Sequence, residues 1–165
     1  MLRQNKLAIV SHCILNQNSV VRNLARASGN FSKLVSILGE AGLGIYQLPC
    51  PELIFAGLER KPQTYEQYDT PEFAIVCHET TERVLKDLDT FRQAGCDVHL
   101  LLGIRRSPTC SLTDRNGHLF RLLLPELAER FPQMLIMDVP TDYIEGQSHE
   151  FEVILRQALQ KEKQV

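Results

Sequence analysis

Short apolar runs rich in β-branched residues alternate along the chain with longer stretches in which apolar side chains recur every three or four positions. The first pattern predicts buried strands and the second amphipathic helices. Leu7 to Ser11 reads as a first strand that stops just before Cys13, since the run holds no Gly or Pro. Asn30 offers a helix cap, Phe31, Leu34, Val35, Leu38 and Ala41 follow at helical spacing, and Gly42 and Gly44 end the helix. A second strand covers Ile45 to Leu48. Pro49, Cys50 and Pro51 close it, because proline supplies no ladder donor.

Residues 52–71 carry Gly57, Pro62 and Pro71 and predict an ordered loop, long enough for a lid, with Tyr65 and Tyr68 too apolar for a disordered linker. Residues 72–93 predict a helix with Phe73, Cys77, Val84, Leu88 and Phe91 on one stripe, and Gly95 stops it. Val98 to Ile104 is almost continuously apolar, as in a strand covered on both faces. Pro125 suits the first position of a short helix with Leu127, Ala128 and Phe131 inward, and Met134 to Met137 forms a fourth strand. A last helix starts near Ser148, with Phe151, Ile154, Leu155 and Ala158 as its face. Strands joined through helices must pair in parallel. The expected fold is α/β, a three-layer α/β/α sandwich on a mostly parallel, flavodoxin/Rossmann-like sheet.

The length of 165 residues fits one domain, residues 1–165, with no internal repeat. Eighteen Lys and Arg balance 20 Asp and Glu, so the basic excess of a protein that binds polymeric nucleic acid is missing. No run approaches the roughly 20 apolar residues of a membrane helix. The stretch Leu7 to Val10 is too short for a signal core. The expectation is a soluble cytoplasmic protein without a membrane partner, monomeric or homodimeric.

Five cysteines form an odd set in a chain large enough to need no disulfides. In an open parallel sheet ligands bind beyond the carboxyl ends of the strands. Cys13, Cys50 and Cys110 each follow a predicted strand and so converge at that edge, whereas Cys77 lies on a buried helical stripe and Cys96 at the opposite strand end. Three thiolates suit zinc or an iron–sulfur cluster, and one ligand short of a closed site leaves a position open for chemistry. His12 beside Cys13 is a candidate fourth ligand for zinc.

The segments around these cysteines, His12-Cys13-Ile14-Leu15-Asn16-Gln17-Asn18, Gln47-Leu48-Pro49-Cys50-Pro51-Glu52 and Gly103-Ile104-Arg105-Arg106-Ser107-Pro108-Thr109-Cys110, resemble the signature segments of the 2-thiouracil desulfidase (TudS-like) family. The likeness runs from about residue 7 to residue 125, and Asn16-Gln17-Asn18 marks a divergent branch. Membership implies a small α/β domain in which Cys13, Cys50 and Cys110 hold a 4Fe-4S cluster that removes sulfur from a small thiolated compound. The resemblance also implies Glu52 as the acid or base and Ser107 as a substrate-orienting hydroxyl. The chain departs from the family pattern at Ser111, where Gly is usual, and at Arg105-Arg106.

Each residue also has a plainer role open to it. Glu52 can be a solvated loop carboxylate, Ser107 a turn former before Pro108, and Asn16 and Asn18 turn residues instead of substrate amides. Arg105 and Arg106 can attract an anionic group or lie in solvent. Tyr65 and Tyr68 can stack on a planar base or pack the loop. The rival function is a non-catalytic module that binds zinc or an iron–sulfur cluster for structure or redox sensing.

Overall fold

The first apolar run becomes β1, Lys6–Val10, with Ala8, Ile9 and Val10 fully buried. In the computed structural model, which describes residues 2–161, β1 lies between β2 (Gly44–Gln47) and β3 (Asp97–Ile104), and β4 (Leu135–Val139) extends the far side. Among the described residues the sheet has four strands in the order β2-β1-β3-β4, all parallel. This is the order of the first four strands of a flavodoxin-type sheet. The strand order reverses between β1 and β3, which opens a crevice at their carboxyl ends.

Alternation along the strands separates two cores. Ala8, Val10, Leu100 and Leu102 pack with Leu34 and Leu38 of α2 (Ser32–Glu40) and with Phe151 and Leu155 of the last helix (Glu150–Lys161). Ile9 and Leu101 pack on the other face with Val84 and Leu88 of a 23-residue helix (Pro71–Gln93) and with Phe120 and Leu123 of His118–Arg130. The result is the expected three-layer α/β/α, Rossmann-like arrangement. An irregularity opposite the Leu7/Ala8 step leaves His99 as an extra residue in β3, and beyond it the side-chain alternation changes phase. Among the described residues no helix is long and apolar enough to cross a membrane.

Several boundaries differ from the expectation. Asn30 does not cap α2. Phe31 holds the cap position, and Glu145 Oε1 accepts from Lys33 N at 2.9 Å and from the Ser32 hydroxyl at 2.7 Å. A cap supplied 113 positions away has no local sequence signal. Residues 52–71 are not a plain loop, since they hold most of α3 (Pro51–Ala56) and all of α4 (Tyr65–Tyr68). Pro51 starts α3 at a helical position that needs no N–H, and Thr64 with Gln67 forms a capping box for α4. With these, Pro71–Gln93 is α5, His118–Arg130 is α6 and Glu150–Lys161 is α7.

Pro125 lies inside α6 instead of starting it. The helix begins seven residues earlier because burial of Leu119, Phe120 and Leu123 outweighs one missing ladder bond on an exposed face. Ala128 is exposed, and Phe91 and Ile154 are 41% and 46% exposed, so none of the three belongs to the inward face expected of it. In α7 the inward residues are Phe151, Leu155 and Leu159.

Candidate functional site

Each of the three cysteines is positioned by a different local device. After β1 the chain turns at Ser11 into α1 (His12–Leu15), so Cys13 sits in a short helix instead of a loop. Cys50 is the residue before α3, and its Sγ accepts from Leu53 N at 3.5 Å. Cys110 lies between β3 and α6, tied back by the Ile104 N–H donating to its carbonyl at 2.8 Å.

The segment around Cys110 is anchored on both sides. Ser107 Oγ accepts from Thr109 N at 3.2 Å and from Cys110 N at 3.0 Å. The buried carboxylate of Asp138, at the end of β4, accepts from Leu112 N, Thr113 N and the Thr113 hydroxyl at 2.8–3.1 Å. Gly117 packs against the Thr109–Cys110 backbone so closely that a Cβ there would stand 2.2 Å from the Thr109 carbonyl carbon.

Cys13, Cys50 and Cys110 all line one cavity of about 370 Å³ at the carboxyl edge of the sheet, together with Glu52, Ser107 and the apolar residues Val20, Val21, Leu24 and Ile104. The volume lies in the range of small-molecule sites, roughly 300–1,000 Å³. Cys77 lies elsewhere, buried against Tyr68 and Phe73, and Cys96 approaches Asn5 Oδ1 at 3.9 Å near the amino end of β3.

The three thiols act on one another electrostatically. Burial pushes Cys13 up to about 12, and the neighbouring Cys50 adds to the shift. Burial lifts Cys110 well above the usual thiol range, with Cys50 and Cys13 the next contributions. Burial also raises Cys50, against the opposing N–H of Leu53. Thiolates held this way need a cation to stay ionised.

Among the described residues no group of three or more His, Cys, Asp or Glu side chains is arranged to hold a metal ion. A single zinc, with Zn–S near 2.3 Å, brings its sulfurs within about 3.8 Å of one another. A multi-iron cluster carries each thiolate on a different iron and accepts a wider spread. Ser11 Oγ is a second feature that fits such a group. It is buried without a partner in full hydrogen-bond geometry, yet lies close enough to Cys110 for its O–H to favour the thiolate.

Glu52 is not a solvated loop residue, since its side chain is 12% exposed. Oε1 accepts from the Thr109 hydroxyl at 2.7 Å, while Oε2 faces Arg60 Nε at 3.3 Å and the Tyr68 hydroxyl at 3.4 Å. Arg60 is itself buried and also donates to the carbonyls of Ser19 and Gly57. Ser107 serves its turn through its oxygen, which leaves its O–H free to donate toward the cavity it lines.

Other candidates are spent on structure. Asn16 Oδ1 accepts from Asn18 N and Asn18 Nδ2, both at 3.1 Å, which makes the pair a turn outside the cavity lining. Arg105 is paired with Asp114 at 3.0 Å, whereas Arg106 is exposed in the left-handed region at φ 62°. Tyr65 stacks on His118 at 3.9 Å and Tyr68 is buried, so both pack instead of facing the cysteines. His12 Nδ1 lies 3.1 Å from the Leu48 carbonyl and must carry a proton to bond it.

Thr109, Arg60, Arg26 and Asp138 are site residues that the pattern analysis missed. Asp138 carried a signal, a lone carboxylate inside the apolar run Leu135 to Val139. Arg60 and Arg26 carried none.

No family model matches the chain, and no solved structure matches it. A curated relative does, the uncharacterized protein MJ0003 of Methanocaldococcus jannaschii, 41% identical over 126 residues that cover 76% of this chain and 80% of the archaeal protein. At that identity and coverage the chain belongs to the same protein family as MJ0003.

Proposed function

We propose that Cys13, Cys50 and Cys110 hold a 4Fe-4S cluster and that the protein is a desulfidase of a small thiolated compound, such as a thiouracil-like nucleobase or nucleoside. The observation that carries this reading is the convergence of these three cysteines, from three separate segments, on one cavity whose remaining wall is largely apolar. When bound, the cluster supplies a soft Lewis acid that prefers thiocarbonyl sulfur to oxygen.

The chain's own residues do the rest. Val20, Val21, Leu24 and Ile104 offer apolar surface to a planar ring and displace water from it. The free O–H of Ser107 orients a ring acceptor. Glu52 Oε1 accepts one hydrogen bond and keeps a second lone pair, so it is the atom that takes a proton from the attacking water. Arg60, Tyr68 and Thr109 fix the carboxylate for that task. In the overall reaction a C–O bond forms from water and the C–S bond breaks. Sulfur leaves with the bonding pair and is protonated from the same water, so no oxidant or reductant is consumed.

The test is anaerobic purification with iron and sulfide analysis, then incubation with 2-thiouracil and related nucleosides and assay of released sulfide. Roughly four irons per chain with sulfide release is the expected result. Zinc or no metal overturns the reading. A loaded cluster with no release from any thiolated substrate favours the non-catalytic module instead.

A further inference from the structure

Several cations border the cavity, and they differ in what balances them. Arg60 is neutralised by Glu52 at 3.3 Å and Arg105 by Asp114 at 3.0 Å, while Arg106 is exposed to solvent. Arg26 is different. Its guanidinium donates to the carbonyls of Pro140 and, at 3.2 Å, Tyr143, and one face lies over the Phe31 ring at 5.4 Å. Among the described residues no carboxylate forms an ion pair with it. Asp142 acts on it more weakly than Cys13 does, and the Asp142 side chain is 79% exposed.

The chain is built to keep this cation beside the cysteines. Gln17 is buried, its Oε1 accepts from Arg26 N at 2.7 Å, and its Nε2 donates to the Cys13 carbonyl at 2.9 Å. One side chain thus ties the backbones of Arg26 and Cys13 together. Burial penalises the Arg26 charge, and Cys13, once ionised, is the largest favourable influence opposing that penalty. Carbonyl dipoles and a ring face compensate only part of the cost of a half-buried guanidinium.

We infer that Arg26 is the fixed counter-charge of the three-cysteine floor, a positioning residue whose cation stabilises the negative charge that accumulates when sulfur is released there. The inference rests on the desulfidase reading and deepens it. Three thiolates already make the floor anionic, and the departing hydrosulfide adds a further negative charge. A guanidinium held by the Pro140 and Tyr143 carbonyls, on a backbone that Gln17 ties to Cys13, meets that charge without having to move into place.

The experiment compares wild type, R26Q and R26K, each anaerobically reconstituted, by iron content, cluster reduction potential, and kcat and KM for sulfide release. R26Q should load iron like wild type, with a more negative potential, because a nearby positive charge favours the reduced cluster. Its kcat should fall on the order of tenfold while KM stays within about threefold, the pattern of an interaction made mainly during reaction. R26K, which keeps charge but not the fork of donors, should recover most of both effects. A loaded R26Q with unchanged potential and kcat overturns the inference, as does an R26K as impaired as R26Q. Should R26Q fail to fold, R26K alone decides, its near-wild-type potential supporting the inference and a shift as large as that of a neutral site overturning it. A wild-type protein without a cluster overturns the desulfidase reading itself and this inference with it.

Discussion

Asp138→Asn tests how the third cysteine is held, and its outcome depends on no assumption about chemistry. The Asp138 carboxylate is 7% exposed and accepts from two backbone N–H groups and one hydroxyl in Leu112 and Thr113, just after Cys110. Oδ2 alone reaches all three donors, so asparagine keeps these bonds through its remaining oxygen but loses the negative charge that strengthens them. Hydrogen bonds to a charged acceptor are worth about 1.5–3 kcal/mol each, against about 0.5–1.5 kcal/mol between neutral groups. Weakening three bonds by about 1 kcal/mol each gives about 3 kcal/mol. Against a total stability of about 5–15 kcal/mol the variant still folds, while opening of the 105–117 segment becomes roughly a hundredfold more frequent.

The assay is alkylation of the metal-free protein, read for each cysteine by mass spectrometry, alongside urea unfolding. Cys110 should label on the order of a hundredfold faster than in wild type, and Cys77, on the buried face of α5 against Tyr68 and Phe73, should change much less. A variant within about 0.5 kcal/mol of wild type in urea, with Cys110 labelling unchanged, refutes the reasoning.

Further outcomes follow from the same geometry. Cys110→Ser should lose the iron found in reconstituted wild type and Cys77→Ser should retain it, as iron analysis will show; equal contents contradict the division of the cysteines. Gly117→Ala drives a Cβ into the Thr109 backbone at 2.2 Å and should lower stability by about 1–3 kcal/mol in urea titrations, since backbone cannot yield as a flexible side chain does. In the metal-free protein the Cys13 thiol lies at about 12 when folded against an ordinary value of 9.0, so the folded state binds more protons between those values. Its contribution is fully present below pH 9 and lost as pH rises toward 12, so the melting temperature should fall over that interval. Cys13→Ser should lessen the fall without abolishing it, because burial raises Cys50 and Cys110 as well. Removing the exposed Arg22–Glu59 pair with Glu59→Gln should change stability by less than about 1 kcal/mol, because both side chains are more than 70% exposed.

Order and type of the major elements were legible from the apolar pattern because each long segment buries a face of fixed period. Leu7 to Val10 and Val98 to Ile104 became adjacent inner strands, and the stripe through Phe73, Val84 and Leu88 became the buried side of α5. The segment at 52–71 differs from the expected loop because α3 and α4 are too short for a period to show, and cap chemistry at Thr64 and Gln67 sets α4 instead. The start of α6 lies seven residues before Pro125 because tertiary burial overrides that strong local signal.

The sequence by itself determined that strands would alternate with helices, that the sheet would be parallel, and that Cys13, Cys50 and Cys110 would follow strand ends. Those properties depend on residues close together in the chain. Tertiary structure alone decided that Glu52 is locked by Arg60, Tyr68 and Thr109, that Glu145 caps α2, and that Asp138 anchors the turn after Cys110. It also placed Arg26 beside Cys13 with carbonyls for partners. Most of these contacts join groups far apart in sequence, and the nearer ones, Glu52 with Arg60 and Gln17 with Cys13 and Arg26, depend equally on direction and distance. A buried charge needs particular partners at particular angles, and no periodic pattern of apolar residues encodes which ones the folded chain will supply.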